Sequence, residues 1–78
     1  MTLFKKKVKH NLPALFFSLD RELEIARARK ETHFYYPLKD HEVNQAMTWG
    51  IRHRVGIQLD HKTDNELYYK FFGYSMEG

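Results

Sequence analysis

Five histidines are the residues in this chain best suited to acid–base chemistry or metal binding. They are His10, His33, His41, His53 and His61. No two of them stand four residues apart, the spacing that places two metal ligands on one face of a helix. At opposite ends of a helix, His41 and His53 would be roughly 18 Å apart. The histidines therefore predict no metal site.

Nucleophilic catalysis lacks the residues that it needs. The chain has no cysteine, and its serines, Ser18 and Ser75, lie outside any Gly-x-Ser-x-Gly context. No glycine-rich phosphate loop is present. A core built from 78 residues can scarcely frame a substrate pocket. We therefore expect a protein that is not an enzyme and that uses no cofactor.

The positive charge of the chain is concentrated at its N-terminus. Thirteen basic and ten acidic residues give a net charge of +3. Four of the basic residues fall within the first ten positions: Lys5, Lys6, Lys7 and Lys9. The remaining nine basic and ten acidic residues nearly cancel. Residues 1–10 are interpreted as a basic arm or an edge strand that either aids solubility or contacts phosphates.

Length and patterning predict one small domain over residues 1–78 in the cytoplasm. The 42% hydrophobic content is that of a globular protein, and the length suffices for one core. No segment approaches the run of about 18 apolar residues that a membrane span needs. The apolar stretch after Lys9 is short, contains Pro13 and leads to no cleavage site, so no secretion signal is expected.

Hydrophobic spacing predicts two helices, over residues 12–31 and 40–52. The apolar stripe of the first is Leu12, Leu15, Phe16, Leu19, Leu23 and Ala26. The alternative for this segment is a hairpin that turns at Asp20 and Arg21, although that turn lacks Gly and Asn. The second helix has Asp40 as its expected N-cap. Its predicted buried face consists of Val43, Ala46, Met47, Gly50 and Ile51.

The last third of the sequence predicts a β-hairpin with strands at 54–60 and 67–74. Residues 32–36 are β-branched and aromatic, which is typical of a short strand. The expected fold is therefore α+β, with two helices packed on a small antiparallel sheet. Because Lys70 avoids burial, its side of the last strand should face solvent and the side of Leu67 should face the helices.

The solvent-facing side of the last strand is the predicted contact surface. Exposed rings usually mark a contact surface, and tyrosines are favoured in interface cores. Trp49, off the helical stripe, either packs in the core or anchors a partner. We expect a regulator or inhibitor, of a kind common in phage genomes, that contacts a protein partner or a second copy. The predicted contact residues are Tyr68, Lys70, Phe72, Tyr74 and Trp49.

Nucleic-acid binding is the alternative function. Aromatic rings stack on bases, while neighbouring cations hold phosphates. The aromatic strand contains only Lys70 as a cation, so this alternative needs the basic arm beside the sheet. Its candidate contacts are Lys5, Lys6, Lys7, Lys9, Arg52 and Arg54.

Overall fold

The computed structural model describes residues 12–76, which form two helices and three strands. In chain order these are α1 (Ala14–Ala28), β1 (His33–Pro37), α2 (Asp40–His53), β2 (Gly56–Lys62) and β3 (Leu67–Phe72). The strands form one antiparallel sheet in the order β1-β3-β2. The predicted α+β fold with a C-terminal hairpin is confirmed. The N-terminal arm or edge strand, predicted over residues 1–10, lies outside the described residues.

Helix α1 settles the choice between a helix and a hairpin for the first segment. Its buried residues are five of the six predicted: Leu15, Phe16, Leu19, Leu23 and Ala26. The sixth, Leu12, precedes the helix and is exposed. The spacing of three and four residues between apolar positions therefore outweighed the local period-two alternation.

Helix α2 is rotated about its axis relative to the prediction. It buries Ala46, Trp49 and Gly50, whereas Met47 and Ile51 are exposed. The indole of Trp49 occupies the core because its ring area exceeds that of either aliphatic side chain. The N-cap is Lys39 rather than Asp40, and the Lys39 backbone N–H donates to the Glu42 carboxylate at 2.9 Å.

The hydrophobic core lies between the two helices and one face of the sheet. At its centre Trp49, Phe71 and Leu19 are fully buried. The ring of Phe34 stacks on that of Phe71 with centroids 4.8 Å apart, and the Trp49 ring meets Phe71 edge-on at 6.1 Å. Within residues 12–76, neither helix is long and apolar enough to cross a membrane.

Gly50 permits the close approach of α2 to the start of β2. A Cβ at this position would lie 2.8 Å from the Val55 carbonyl oxygen and 2.9 Å from Ile57 Cδ1. The approach holds α2 against the edge of the sheet, where Val55 N–H donates to the Gly50 carbonyl at 2.8 Å. Glycine in the middle of a helix thus has a packing reason here.

Side chains along β3 alternate between the two sides of the strand as predicted up to Phe72, but not beyond it. Phe71 is fully buried, while Tyr68, Lys70 and Phe72 lie on the opposite side of the strand. The prediction that Tyr74 shares that side is wrong, because its side chain is only 6% exposed and belongs to the core. The strand ends at Phe72, and Gly73 has a φ of +78°, so the period of two does not continue.

Replacing Gly73 tests whether its positive φ is what turns Tyr74 into the core. Gly73→Ala should cost about 1–2 kcal/mol of the free energy of unfolding, because an L side chain resists a positive φ. The strain is that of the backbone alone, since no atom lies within 4 Å of the position of an added Cβ. Gly73→Asn should cost less, because asparagine adopts this region more readily. Urea unfolding measures both variants, and equal losses would contradict the account.

Candidate functional site

The sheet has one face that neither helix covers, which we call the outer face. The helices pack on the other face, where α2 contacts Ile57 and Phe71. Strand pairing brings the exposed side together, with His33 opposite Phe72, and Tyr35 and Gln58 on either side of Lys70. The outer face consists of His33, Tyr35, Gln58, His61, Tyr68, Lys70 and Phe72. It combines residues from all three strands.

The rings of the outer face form a continuous row across the sheet. His61 stacks on Tyr68 with the ring planes 4° apart and the centroids 5.0 Å apart. Tyr35 reaches the same histidine edge-on at 5.9 Å, and His33 meets Tyr35 at 5.4 Å. Tyr35 is 43% exposed and His61 is exposed, so the row is open to solvent.

Sequence reasoning missed His61 because a β-bulge brings it to this face. The register shifts between Leu59 and His61, so that Leu59 pairs with Tyr69 but His61 pairs with Tyr68. Without the extra residue, His61 would share the side of Ile57 and Leu59. No turn or charge pattern in the sequence marks the bulge. Tyr35, by contrast, could have been found from its alternation with the buried Phe34.

Phe72 and Gly56 are matched across the two strands. A Cβ on Gly56 would lie 2.6 Å from Phe72 Cε1, so the ring lies directly over the glycine. Phe72 is consequently half-buried although neither α1 nor α2 covers it. The Lys70 Nζ lies 6.0 Å from the centroid of the same ring, in range of a cation–π contact. This end of the outer face is therefore ordered by packing.

Charge is sparse on the outer face. Of its seven residues, only Lys70 carries a formal charge when the histidines are neutral. The neighbouring carboxylates are engaged: Asp60 Oδ2 lies 2.6 Å from His61 Nδ1, and Tyr68 donates to Glu66 Oε1 at 3.2 Å. That hydrogen bond, with the negative charge of Glu66, raises the pKa of Tyr68. The outer face therefore consists mainly of uncharged rings, with Lys70 as its one formally charged residue.

Two of the predicted contact residues are absent from this face. Trp49 is fully buried, which confirms the core alternative and makes its predicted contact with a partner wrong. Its Nε1–H donates to Asp20 Oδ1 at 2.8 Å, and the same oxygen lies 3.3 Å from His53 Nε2. The His53 ring stacks on the indole at 4.5 Å. Trp49 thus joins α1 to α2 instead of reaching outward.

Tyr74 also has a structural partner within the chain. Its hydroxyl donates to the Glu31 carbonyl at 2.7 Å, and its ring packs 6.0 Å from that of Phe34. Burial raises the pKa of Tyr74 from its ordinary value of 10.0, and the charge of Glu31 adds to the effect. The hydrogen bond from Tyr74 to Glu31 thus connects the segment that follows β3 to the turn that follows α1.

The cations proposed for nucleic-acid binding do not join the outer face. Arg52 belongs to α2, and its guanidinium lies over the Phe16 ring at 5.8 Å, on the helical side of the molecule. Arg54 is the exposed residue that ends α2. The four lysines Lys5, Lys6, Lys7 and Lys9 lie outside the described residues. Among residues 12–76, the rings are therefore accompanied on their own face by Lys70 alone.

Elsewhere on the described surface we looked for metal-binding clusters and clefts. Over residues 12–76, no three histidine or acidic side chains come together in a way that could hold a metal ion. A cleft of about 480 Å³ opens between the start of α2 and the tip of the hairpin. Its charges are mixed, with Lys39 and Lys62 beside Glu42 and Glu66. Comparison with protein-family models, with curated proteins and with solved structures gave no match.

Asp20→Ala tests the link between the two helices. The change removes the acceptor of the Trp49 indole and should cost about 1 kcal/mol of the free energy of unfolding. Urea unfolding followed by the fluorescence of the single tryptophan measures it. Glu24→Ala, an exposed change on the same helix, is the control. A loss no larger than that of the control would contradict the role of Asp20.

Tyr74→Phe tests the buried hydroxyl through its dependence on pH. At pH 7 the variant should be less stable than the wild type by about 1 kcal/mol, because the hydrogen bond to Glu31 is lost. A raised folded-state pKa gives stability that is complete below pH 10 and declines as the pH rises further. The difference between the two proteins should therefore shrink above pH 10. Urea unfolding at pH 7 and above pH 10 measures the difference in the free energy of unfolding. A difference that is the same at the two pH values would contradict this prediction.

Proposed function

We propose that this protein is a non-catalytic cytoplasmic regulator or inhibitor that binds a partner protein through the outer face of its sheet. The observation that supports the proposal most is the row of rings from His33 to Tyr68 on a face that neither α1 nor α2 covers. Aromatic side chains offer a partner a large contact area with little loss of rotamer freedom. Tyrosine is among the residues enriched at energetic hot spots.

The low charge of the outer face favours a protein partner over a nucleic acid. Interface cores between proteins are depleted of charged residues and enriched in aromatic ones. A single-strand binder instead combines stacking rings with a positively charged groove along the phosphates. On the described outer face only Lys70 supplies that charge. Lys70 is placed at the middle of the face, where it would select a carboxylate or a carbonyl oxygen on a partner.

Three rings of the outer face would contribute to the proposed contact in different ways. Tyr35 and His61 supply the exposed ring edges. Tyr68, half-buried between His61 and the Glu66 carboxylate, is held in one orientation before any partner arrives. Pre-ordered side chains lose less entropy on binding, which strengthens a contact of limited area.

The test compares three forms of the immobilised full chain for capture of a partner from cell extract. The double change Tyr35→Ala/Tyr68→Ala should weaken capture of a specific partner at least tenfold, equivalent to about 1.4 kcal/mol. Phe17→Ala is the matched control, because Phe17 is a 59% exposed ring on α1. Circular dichroism verifies that all three proteins are folded. A partner captured equally by the double variant and the wild type would overturn the proposal.

A second arm separates the protein partner from the nucleic acid. A fluorescently labelled single-stranded oligonucleotide is titrated with the full chain at about 50 mM salt, where phosphate contacts are strongest. No binding is expected of the outer face. Binding that is abolished by Tyr35→Ala/Tyr68→Ala and that falls steeply with added salt would replace the proposed function by the alternative.

A further inference from the structure

The rings at the centre of the outer face meet at steep angles. Tyr35 lies between two histidines: its ring plane is 80° from that of His33, with centroids 5.4 Å apart, and 62° from that of His61, with centroids 5.9 Å apart. Each of the two pairs therefore forms a corner between two ring surfaces. A compact, flat apolar group fits such a corner, and the negative face of an aromatic ring attracts polarised C–H groups.

The polar groups beside these corners include two hydrogen-bond donors that need an acceptor. Lys70 pairs with Tyr35 in the strand register, and its ammonium group has three N–H donors and no acceptor. Among residues 12–76, no group accepts a hydrogen bond from the Lys70 ammonium or from the Tyr35 hydroxyl. The nearby carboxylates of Asp60 and Glu66 are already engaged with rings of the outer face. A partner must therefore supply the acceptors.

A bound strand or a bound helix meets these conditions poorly. A strand joins a sheet at its edge, whereas the two corners lie on the face of the sheet. A helix uses its own backbone carbonyls in internal hydrogen bonds. It would cover the donors of Tyr35 and Lys70 without offering them a backbone acceptor, and a donor buried without a partner costs free energy.

A proline-rich segment in the polyproline II conformation meets both conditions. This conformation has no internal hydrogen bonds, so its backbone carbonyls are free to accept from Tyr35 and Lys70. Proline has no backbone N–H, so few new donors are placed on a face that is poor in acceptors. The pyrrolidine rings are the compact apolar groups that the corners fit. Two residues advance about 6 Å, close to the 5.4 and 5.9 Å between successive rings.

We propose that the outer face binds a proline-rich segment of its partner in the polyproline II conformation. Alternate prolines occupy the two corners beside Tyr35, and backbone carbonyls accept hydrogen bonds from Lys70 and from the Tyr35 hydroxyl. The conformation is largely formed before binding, so little free energy is lost in ordering the segment. With Lys70 as the one formal charge of the face, an uncharged segment rich in carbonyl oxygens is complementary to it.

This inference rests on the proposed function, because it takes the outer face as the place where a partner protein binds. It adds the chemical class of the segment that is recognised. A partner that is captured through Tyr35 and Tyr68 but contains no proline-rich segment would overturn the inference and leave the proposed function in place. The titration below tests the inference without any captured partner.

Titration with decaproline tests the inference on the 78-residue chain. Decaproline is the probe because it adopts the polyproline II conformation. Followed by NMR, the ring signals of Tyr35 and His61 should shift saturably with a dissociation constant below about 1 mM. The ring of Phe17, exposed on α1, should not shift. A peptide of ten alternating glycines and serines is the control and should give no saturable shift.

Two results of this titration would overturn the inference. One is the absence of a saturable shift at Tyr35 and His61 with decaproline up to about 1 mM. The other is an equal response to decaproline and to the glycine–serine peptide, since a flexible segment has neither the pyrrolidine rings nor the ordered carbonyls.

Three variants separate the two parts of the proposed contact. Tyr35→Ala removes both corners and should raise the dissociation constant for decaproline at least tenfold. Tyr35→Phe keeps the corners but loses the hydroxyl, and Lys70→Met loses the ammonium, so each should raise the dissociation constant about threefold. Phe17→Ala is the control, and circular dichroism verifies that every variant is folded. Binding by Tyr35→Ala that equals binding by the wild type would overturn the inference.

Discussion

The alternation of side chains along β3 is the constraint on which the rest of the structure depends. Phe71 is fully buried beneath Trp49 and Phe34, and this fixes the register of the central strand. A shift by one residue would put Lys70 into the core, at a cost that a chain of this size could not sustain. Because Phe71 points to the helices, Tyr68 and Phe72 must point away from them. The outer face is thus a consequence of how the core is filled.

The two faces of the sheet consequently differ: one is buried against the helices, and the other carries exposed and half-buried rings. The outer face is rich in rings, and its side chains contact one another before any partner is present. The other face is filled by Phe34 and Phe71, whose rings stack on each other in the core.

The sequence predicted the elements better than the faces that they present. Regular spacing identified α1, and the alternation around Lys70 identified the sides of β3, because both patterns repeat over several residues. Local exceptions could not be foreseen: the left-handed Gly73 turned Tyr74 inward, and the bulge beside Leu59 turned His61 outward. Each depends on a single residue whose conformation is set by tertiary contacts. The rotation of α2 has a similar origin, since the spacing of apolar residues does not reveal the hydrogen bond between the Trp49 indole and Asp20.

The central claim is that the rings of the outer face are open to solvent in the intact protein. Paramagnetic relaxation by a soluble gadolinium chelate, measured by NMR on the 78-residue chain, tests it most directly. The ring protons of Tyr35, Tyr68 and Phe72 should relax much faster when the chelate is added, while those of Phe71 and Trp49 should be protected. Protection of Tyr68 and Phe72 equal to that of Phe71 would show that the outer face is covered, and would contradict the account.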